Sequence, residues 1–139
     1  EEFVTLLVKA FDKKLTDNGE TVSFTDVADG AWYREYVLRA ARAGIVSGYQ
    51  DGRFGIGENI TREDAAVFAA RIIGETNADM SNAFADDESI SEYAKNSVYL
   101  MRIKGVINGM GNNMFNPKAN CSRAQAAVII DKLMSVGGF

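Results

Sequence analysis

Two arginines occupy matching positions in the chain, each at the start of a predicted helix that follows a glycine-rich loop. They are Arg62 and Arg123. A helix N-terminus normally favours acidic side chains, because its unpaired backbone N–H groups carry partial positive charge. A guanidinium beside such free N–H groups is suited to a carboxylate or a phosphate, so the pattern predicts an anion site. The alternative is that each arginine pairs with a nearby acid, such as Asp26 or Asp86, and pins a loop.

An aromatic side chain is expected close to the same loops. Trp32 is the single tryptophan and stands where a helix is predicted to begin. Such a ring can stack on a sugar or plug a hydrophobic core, and the second role is the more common. The sequence therefore favours a core position for Trp32, with Tyr93 as its counterpart in the second half of the chain.

Catalysis is disfavoured by the residue types that are present. The chain has no histidine, the most frequent general base and metal ligand. Its single cysteine, Cys121, is expected to fill apolar space rather than to act as a nucleophile. Glu63 and Asp64 resemble the acid pair of a glycan hydrolase, but the matching positions later in the chain are Ala124 and Gln125. We therefore expect no enzyme and no cofactor.

Charge and hydropathy disfavour other classes of function. The net charge is −4, whereas a nucleic-acid surface needs a basic stripe. No run of about 18 apolar residues is present, so no membrane insertion is predicted. A loop beginning at Asp51 invites comparison with a calcium loop, but its third, fifth and twelfth positions are Arg53, Gly55 and Arg62. The EF-hand pattern places oxygen ligands there, so no metal site is expected.

The glycine-rich loops belong to an internal repeat. A shift of 61 residues aligns 32–74 with 93–135 without a gap, and nine of the 43 pairs are identical. Residues 1–11 align with 63–73 as the end of a further, truncated copy. Because one helix pair cannot bury its apolar face alone, neighbouring copies are expected to share a core. The identical pairs are Val37/Val98, Gly44/Gly105, Gly48/Gly109, Phe54/Phe115, Asn59/Asn120, Arg62/Arg123, Ala65/Ala126, Ala66/Ala127 and Val67/Val128.

Each complete copy is predicted to contain two helices joined by the loop. The apolar periodicity places the first helix at about 32–43 and 93–104. Gly44 and Gly105 follow these helices as left-handed C-terminal caps. The second helix begins at Thr61 or Ser122, where Ser122 and Gln125 form a capping box. The sequence thus predicts an all-α fold of tandem helix-loop-helix repeats.

The order of motifs resembles the S-layer homology (SLH) repeat. The matching run is "FTDV…WYREYVLRAARAGIVSGYQDGRFGIGENITREDAAVFAARII", within residues 24–73. Residues 84–135 carry a looser copy, and residues 1–11 resemble the end of a preceding one. The resemblance implies the tail of a truncated repeat at 1–15 and complete repeats at 22–75 and 82–137, packed around a pseudo-threefold axis.

The resemblance implies a non-catalytic module that anchors a protein to a bacterial surface, outside the cell. The implied ligand is an anionic, pyruvylated secondary cell-wall polysaccharide. The alternative is a structural module for S-layer self-assembly or protein binding. The missing part of the first repeat, or another chain, is expected to complete the trimer. The residues implied to bind the polysaccharide are Arg62, Asp26, Trp32, Ser47, Gly48 and Tyr49 in the first copy, and Arg123, Asp86, Asn108 and Gly109 in the second.

The second copy departs from the family pattern at several of these positions. Tyr93 stands in place of the tryptophan, Ala124 in place of the motif glutamate, and Met110 in place of Tyr49. The resemblance therefore leaves open whether the second copy binds as well as the first.

Overall fold

The computed structural model describes residues 1–75 and 77–136, which form an all-α structure. The predicted fold class is confirmed: no β-strand occurs in this part of the chain, although one isolated antiparallel bridge joins Thr61 and Asn120. The chain divides into two compact units, Glu1–Glu58 and Asn59–Phe139. The helices are α1 (Glu2–Phe11), α2 (Arg34–Arg42), α3 (Arg62–Ile73), α4 (Glu92–Ile103) and α5 (Arg123–Val136).

The first unit is built by packing α1 against α2. Apolar residues recur along α1 at helical spacing, and Phe3, Leu7 and Phe11 are buried. A 3₁₀ turn, Asp12–Lys14, follows α1. The guanidinium of Arg39 on α2 fixes this turn by donating to the carbonyl oxygens of Asp12 and Leu15, at 3.1 and 2.6 Å.

The second unit places α3 mainly against α4 and less extensively against α5. Small side chains allow the close approach of α3, whose buried residues include Ala65, Ala66, Ala69 and Ala70. Helix α4 is the second half of this core, where Ala94, Val98, Tyr99 and Met101 are completely buried. From α5, Leu133 is completely buried.

The helix ends follow the predicted capping chemistry. Gly44 and Gly105 have φ angles of +74° and +70°, so both adopt the predicted left-handed conformation. The capping box of α5 is present: Gln125 N donates to Ser122 Oγ at 3.1 Å, and Ser122 N donates to Gln125 Oε1 at 3.0 Å. Thr61 caps α3 with a longer bond, 3.3 Å from Asp64 N.

The compact units are out of step with the repeats seen in the sequence. Helix α3 ends the first complete copy and α4 begins the second, yet both lie in one unit. This confirms that neighbouring copies share a core. The repeat boundaries at 1–15, 22–75 and 82–137 and the pseudo-threefold packing stay predictions. No helix in the described residues is both long and apolar enough to cross a bilayer.

Candidate functional site

Arg62 is the centre of the candidate site in the second unit, but its side chain is only 5% exposed. Its Nε donates to the carbonyl oxygen of Phe115 at 2.9 Å, and its Nη2 donates to that of Asn108 at 2.6 Å. The guanidinium carbon lies 4.8 Å from the centroid of the Phe115 ring. These contacts hold the planar group rigidly against the loop that precedes α5.

The positive charge of Arg62 is not matched by a contacting carboxylate. None of the ion pairs within residues 1–75 and 77–136 includes Arg62. Burial lowers the pKa of its guanidinium, and the more distant negative charge of Asp86 partly opposes that effect. Burying a charge without a contacting counter-charge is unfavourable. Arg62 is therefore a fixed cation with capacity for an anionic ligand.

One guanidinium nitrogen of Arg62 still reaches solvent. Nη1 has no acceptor among the described residues. Thr5 Oγ1 is the one fully buried side-chain polar atom without a partner in that part of the chain. Nη1 also has no partner but is not among the fully buried atoms, so it retains some exposure to solvent. An arginine presents up to five N–H donors, so donors remain on the exposed side.

The backbone N–H groups beside Arg62 do not match the prediction. Arg62 N donates to the carbonyl oxygen of Ala119 at 2.9 Å, and Glu63 N donates to that of Pro117 at 3.1 Å. Asp64 N is taken by the Thr61 cap. The expectation of free N–H groups at the start of α3 is therefore wrong, because the loop of the following copy folds over them.

The loop-pinning alternative describes one part of this geometry. Arg62 does hold a loop, but it does so through the carbonyl oxygens of Asn108 and Phe115, not through a paired acid. Pinning and ligand binding are compatible, because the pinning contacts use Nε and Nη2 only.

Asp26 and Asp86 tie down the two glycine-rich loops in the same way. Asp26 accepts hydrogen bonds from three consecutive backbone N–H groups, those of 54, 55 and 56, at 2.7, 2.8 and 2.9 Å. Asp86 accepts from 115 and 116 at 2.9 and 2.8 Å. Partial burial raises the pKa of Asp26, but the backbone hydrogen bonds outweigh it and leave the pKa below its ordinary value. Both carboxylates hold loops in shape.

Trp32 does not plug the core. Its side chain is 61% exposed, with only an edge-to-face contact to Tyr33 at 5.4 Å between ring centroids. The core position favoured by the sequence is therefore wrong, and the ring is open to stacking. Tyr49 is also exposed; its hydroxyl donates to Glu58 at 2.7 Å, and Arg53 lies 5.2 Å from its ring centroid.

The Ser-Gly and Asn-Gly pairs form exposed corners of their loops. Ser47 and Gly48 are exposed in the first unit, and Asn108 and Gly109 in the second. A Cβ added at Gly48 would lie 2.8 Å from the Arg53 carbonyl oxygen. One added at Gly109 would lie 2.9 Å from a carbonyl oxygen of the same loop. Glycine is required at both positions, because the two sides of each loop lie too close together to leave room for a Cβ atom.

Arg123 differs from Arg62 in its exposure to solvent. It is exposed at the first turn of α5, beside the Ser122 cap. In the second unit the structure thus brings together Arg62, Asn108 and the loop held by Asp86. In the first unit, Asp26 supports the loop that begins at the Ser47-Gly48 corner and carries Tyr49.

A buried acid beside Arg62 was missed as a site residue. Glu63 is only 2% exposed and accepts from Ser91 N and Ser91 Oγ, both at 2.9 Å, and from Lys118 Nζ. Tyr93 donates to Glu63 at 3.4 Å and to Asp64 at 2.7 Å. Burial raises the pKa of Glu63, but the lysine and serine contacts outweigh it and lower the pKa. The signal in the sequence was an acid directly after the arginine.

The described residues contain no cluster of three or more His, Cys, Asp or Glu side chains placed to hold a metal ion. Burial raises the pKa of the Cys121 thiol, with the charge of Arg62 acting in the opposite direction. A thiol of this kind is poorly ionised near neutral pH and is a weak nucleophile.

Similar proteins cover almost the whole chain. An amylopullulanase from Thermoanaerobacterium thermosulfurigenes is 37% identical over 99% of this chain and 8% of its own length. The exoglucanase XynX from Acetivibrio thermocellus is 38% identical over 96% of this chain and 12% of its own length. A cellulosome-anchoring protein from A. thermocellus is 23% identical over 91% of this chain and 29% of its own length.

The chain therefore spans only about a tenth of the length of the two named enzymes. The S-layer homology domain is matched twice, over residues 23–66 and 83–127. These two matches coincide with the loops and helices described above and confirm the expected family. The chain belongs to the S-layer homology domain family.

Proposed function

We propose that this chain is a non-catalytic module that anchors a larger protein at the bacterial cell surface by binding an anionic wall polysaccharide. Membership of the S-layer homology family supports the surface location and the anchoring role. Two relatives with different enzyme names share this module with an anchoring protein, as expected for a part that sets position rather than chemistry.

The observation that carries the ligand proposal is the nearly buried, unpaired guanidinium of Arg62. A carboxylate placed at Nη1 would supply the missing counter-charge at a rigid, pre-oriented donor, so little conformational freedom would be lost on binding. A pyruvate ketal on a sugar carries such a carboxylate. Neutral glycans lack it and would leave the charge uncompensated.

The polar corner beside Arg62 and an exposed aromatic ring provide sugar contacts. Asn108 and Gly109 form the corner. Tyr93 is exposed and is oriented by its hydroxyl contacts to Glu63 and Asp64. In the first unit Trp32, Ser47, Gly48 and Tyr49 offer the same kinds of group. Aromatic faces and exposed hydroxyls are suited to sugar rings.

The test compares pyruvylated wall glycan with the same glycan after removal of pyruvate. We expect the wild-type chain to prefer the pyruvylated form, and Arg62→Gln to lose that preference because glutamine retains hydrogen-bonding groups without the charge. Lys13→Gln is the charge control, since Lys13 is exposed in the turn after α1. An Arg62→Gln chain that still discriminates the two glycans would contradict this site.

A structural assembly role is the second candidate, and the surface of α5 favours it. Val128 and Val136 are 51% and 44% exposed, whereas Val67, the counterpart of Val128 on α3, is buried in the unit that contains α4. We propose that this face of α5 packs against the first helix of another repeat, supplied by the rest of the native protein or by another chain. Val128→Glu should abolish such an association, measured by sedimentation at increasing protein concentration, without affecting glycan discrimination.

A further inference from the structure

A groove of about 410 Å³ lies between α1 and α2 within the unit Glu1–Glu58. None of the residues expected to bind the wall polysaccharide lines this groove. Its polar lining consists of Lys9, Asp12, Glu35, Tyr36, Arg39 and Arg42. The groove therefore presents three cations and an aromatic ring on a protein whose net charge is −4.

One of these cations is committed to structural contacts through two of its nitrogens and is paired with an acid. Arg39 Nε is paired with Asp12 Oδ1 at 2.9 Å, and its Nη2 donates to the carbonyl oxygens of Asp12 and Leu15. Glu35, the second acid of the groove, is paired with Arg34 at 3.2 Å. Both acids of the groove are thus already matched by an arginine.

The other two cations have no acidic partner in the described residues. Lys9 Nζ lies 5.1 Å from the centroid of the Tyr36 ring, a cation–π contact that holds the ammonium group at the groove. Arg42 is half-buried at the C-terminal end of α2, and its side chain has no described acceptor. The groove thus has an exposed ammonium group on its α1 side and a half-buried guanidinium and an aromatic ring on its α2 side.

Packing of the two helices does not require this set of residues. The shift of 61 residues places Ser97 and Ile103 on α4 at the positions of Tyr36 and Arg42 on α2. Helix α3 packs against α4 with those uncharged residues in place. Tyr36 and Arg42 are thus particular to the first unit, whereas the counterpart of Lys9 on α3 is another cation, Arg71.

We propose that this groove binds a sugar that carries a carboxylate or a phosphate, with Lys9 and Arg42 contacting the oxyanion and Tyr36 contacting the sugar ring. The dimensions suit one or two sugar residues. A guanidinium and an ammonium together suit a carboxylate or a phosphate oxyanion. The site is separate from the one proposed at Arg62 and does not depend on it.

The experiment titrates the full chain with glucuronate, with glucose 6-phosphate and with glucose as the neutral control. Isothermal titration gives the affinity, and NMR signals of the Tyr36 ring report the location. We expect both acidic sugars to bind and glucose to fail. Tighter binding of glucuronate would identify a carboxylate as the natural group, and tighter binding of glucose 6-phosphate would identify a phosphate.

Two variants use the residues that the second unit already tolerates. Arg42→Ile and Tyr36→Ser should each weaken binding of the acidic sugars by roughly fivefold or more, with thermal melting as the folding check. Lys13→Gln should leave the affinity unchanged. Equal binding of glucose, or an Arg42→Ile chain with wild-type affinity and an intact melting transition, would overturn the groove proposal whatever the outcome at Arg62.

Discussion

Arg62 Nη2 donates a 2.6 Å hydrogen bond to the carbonyl oxygen of Asn108, a residue 46 positions later in the chain. The bond links the first turn of α3 to the loop of the following copy. It also fixes the orientation of the guanidinium that we propose as the anion ligand. Structural and binding roles therefore meet in one side chain, and experiments must separate them.

Removal of this side chain should destabilise the protein. Arg62→Ala leaves the carbonyl oxygens of Asn108 and Phe115 without their donor, at a position that is almost completely buried. We expect the free energy of unfolding to fall by about 2–4 kcal/mol, measured by urea denaturation. The exposed Lys13→Ala should change it by less than about 0.5 kcal/mol. A loss for Arg62→Ala no larger than that of the control would contradict the pinning role.

Acid should weaken the contact between α3 and α4 through Glu63. Because the pKa of Glu63 is lowered in the folded protein, its contribution to stability is complete above the ordinary value of 4.5 and is lost as the pH falls through the folded pKa. Glu63→Gln cannot titrate and should show a shallower fall of the melting temperature between pH 5 and 2. Parallel curves for the wild type and the variant would show that other carboxylates control acid stability.

The carboxylate of Asp86 should protect the loop before α5 from local opening. Asp86→Ala removes the acceptor of the Phe115 and Asn116 amides. We expect hydrogen exchange at these two amides to accelerate by one to two orders of magnitude, equivalent to about 1.4–2.8 kcal/mol. The amides that Asp26 holds in the first unit serve as the internal reference and should keep their rates. Unchanged exchange at Phe115 would rule out the anchoring contact.

Two glycines with similar backbone angles should respond differently to alanine. Gly44 has a φ of +74° and open space where a Cβ would lie, so Gly44→Ala should cost about 1 kcal/mol from backbone strain alone. Gly48 has a φ of +72°, and its Cβ would lie 2.5 Å from an atom of the Phe24 ring and 2.8 Å from the Arg53 carbonyl oxygen. Gly48→Ala should therefore cost about 1–3 kcal/mol more, as measured by thermal unfolding. Equal losses would show that the loop relaxes around the added methyl group.

Local chemistry made much of the fold predictable from the sequence. The left-handed Gly44 and the box of Ser122 and Gln125 depend on residues within a few positions of each other, and both are present. The repeat also predicted a core shared by neighbouring copies, and α3 and α4 form that core. Each of these predictions uses the period of the helix or the needs of its terminal N–H and C=O groups.

The errors arose where distant segments meet. The N–H groups of Arg62 and Glu63 donate to the carbonyl oxygens of Ala119 and Pro117, more than 50 residues away. Helix-capping rules consider only neighbouring residues, so they cannot predict these partners. Trp32 was expected in the core because large aromatic rings usually lie there, yet the core of the first unit is filled by other side chains and leaves this ring outside. Glu63 was compared in the sequence only with the acid pair of a glycan hydrolase, because its enclosure by Ser91 and Lys118 depends on segments 28 and 55 residues away.

The offset between the compact units and the sequence repeats has a consequence for how such modules can be cut and joined. A fragment ending near residue 75 would keep α3 but separate it from α4, exposing the alanine-rich face and the charge of Glu63 to water. A break in the glycine-rich loop near residue 58 would instead leave each helix with its packing neighbour. Recombination that preserves folding is thus expected to occur inside a repeat. An anchor grafted onto another protein should therefore be cut at the ends of a compact unit, not at the ends of a sequence repeat.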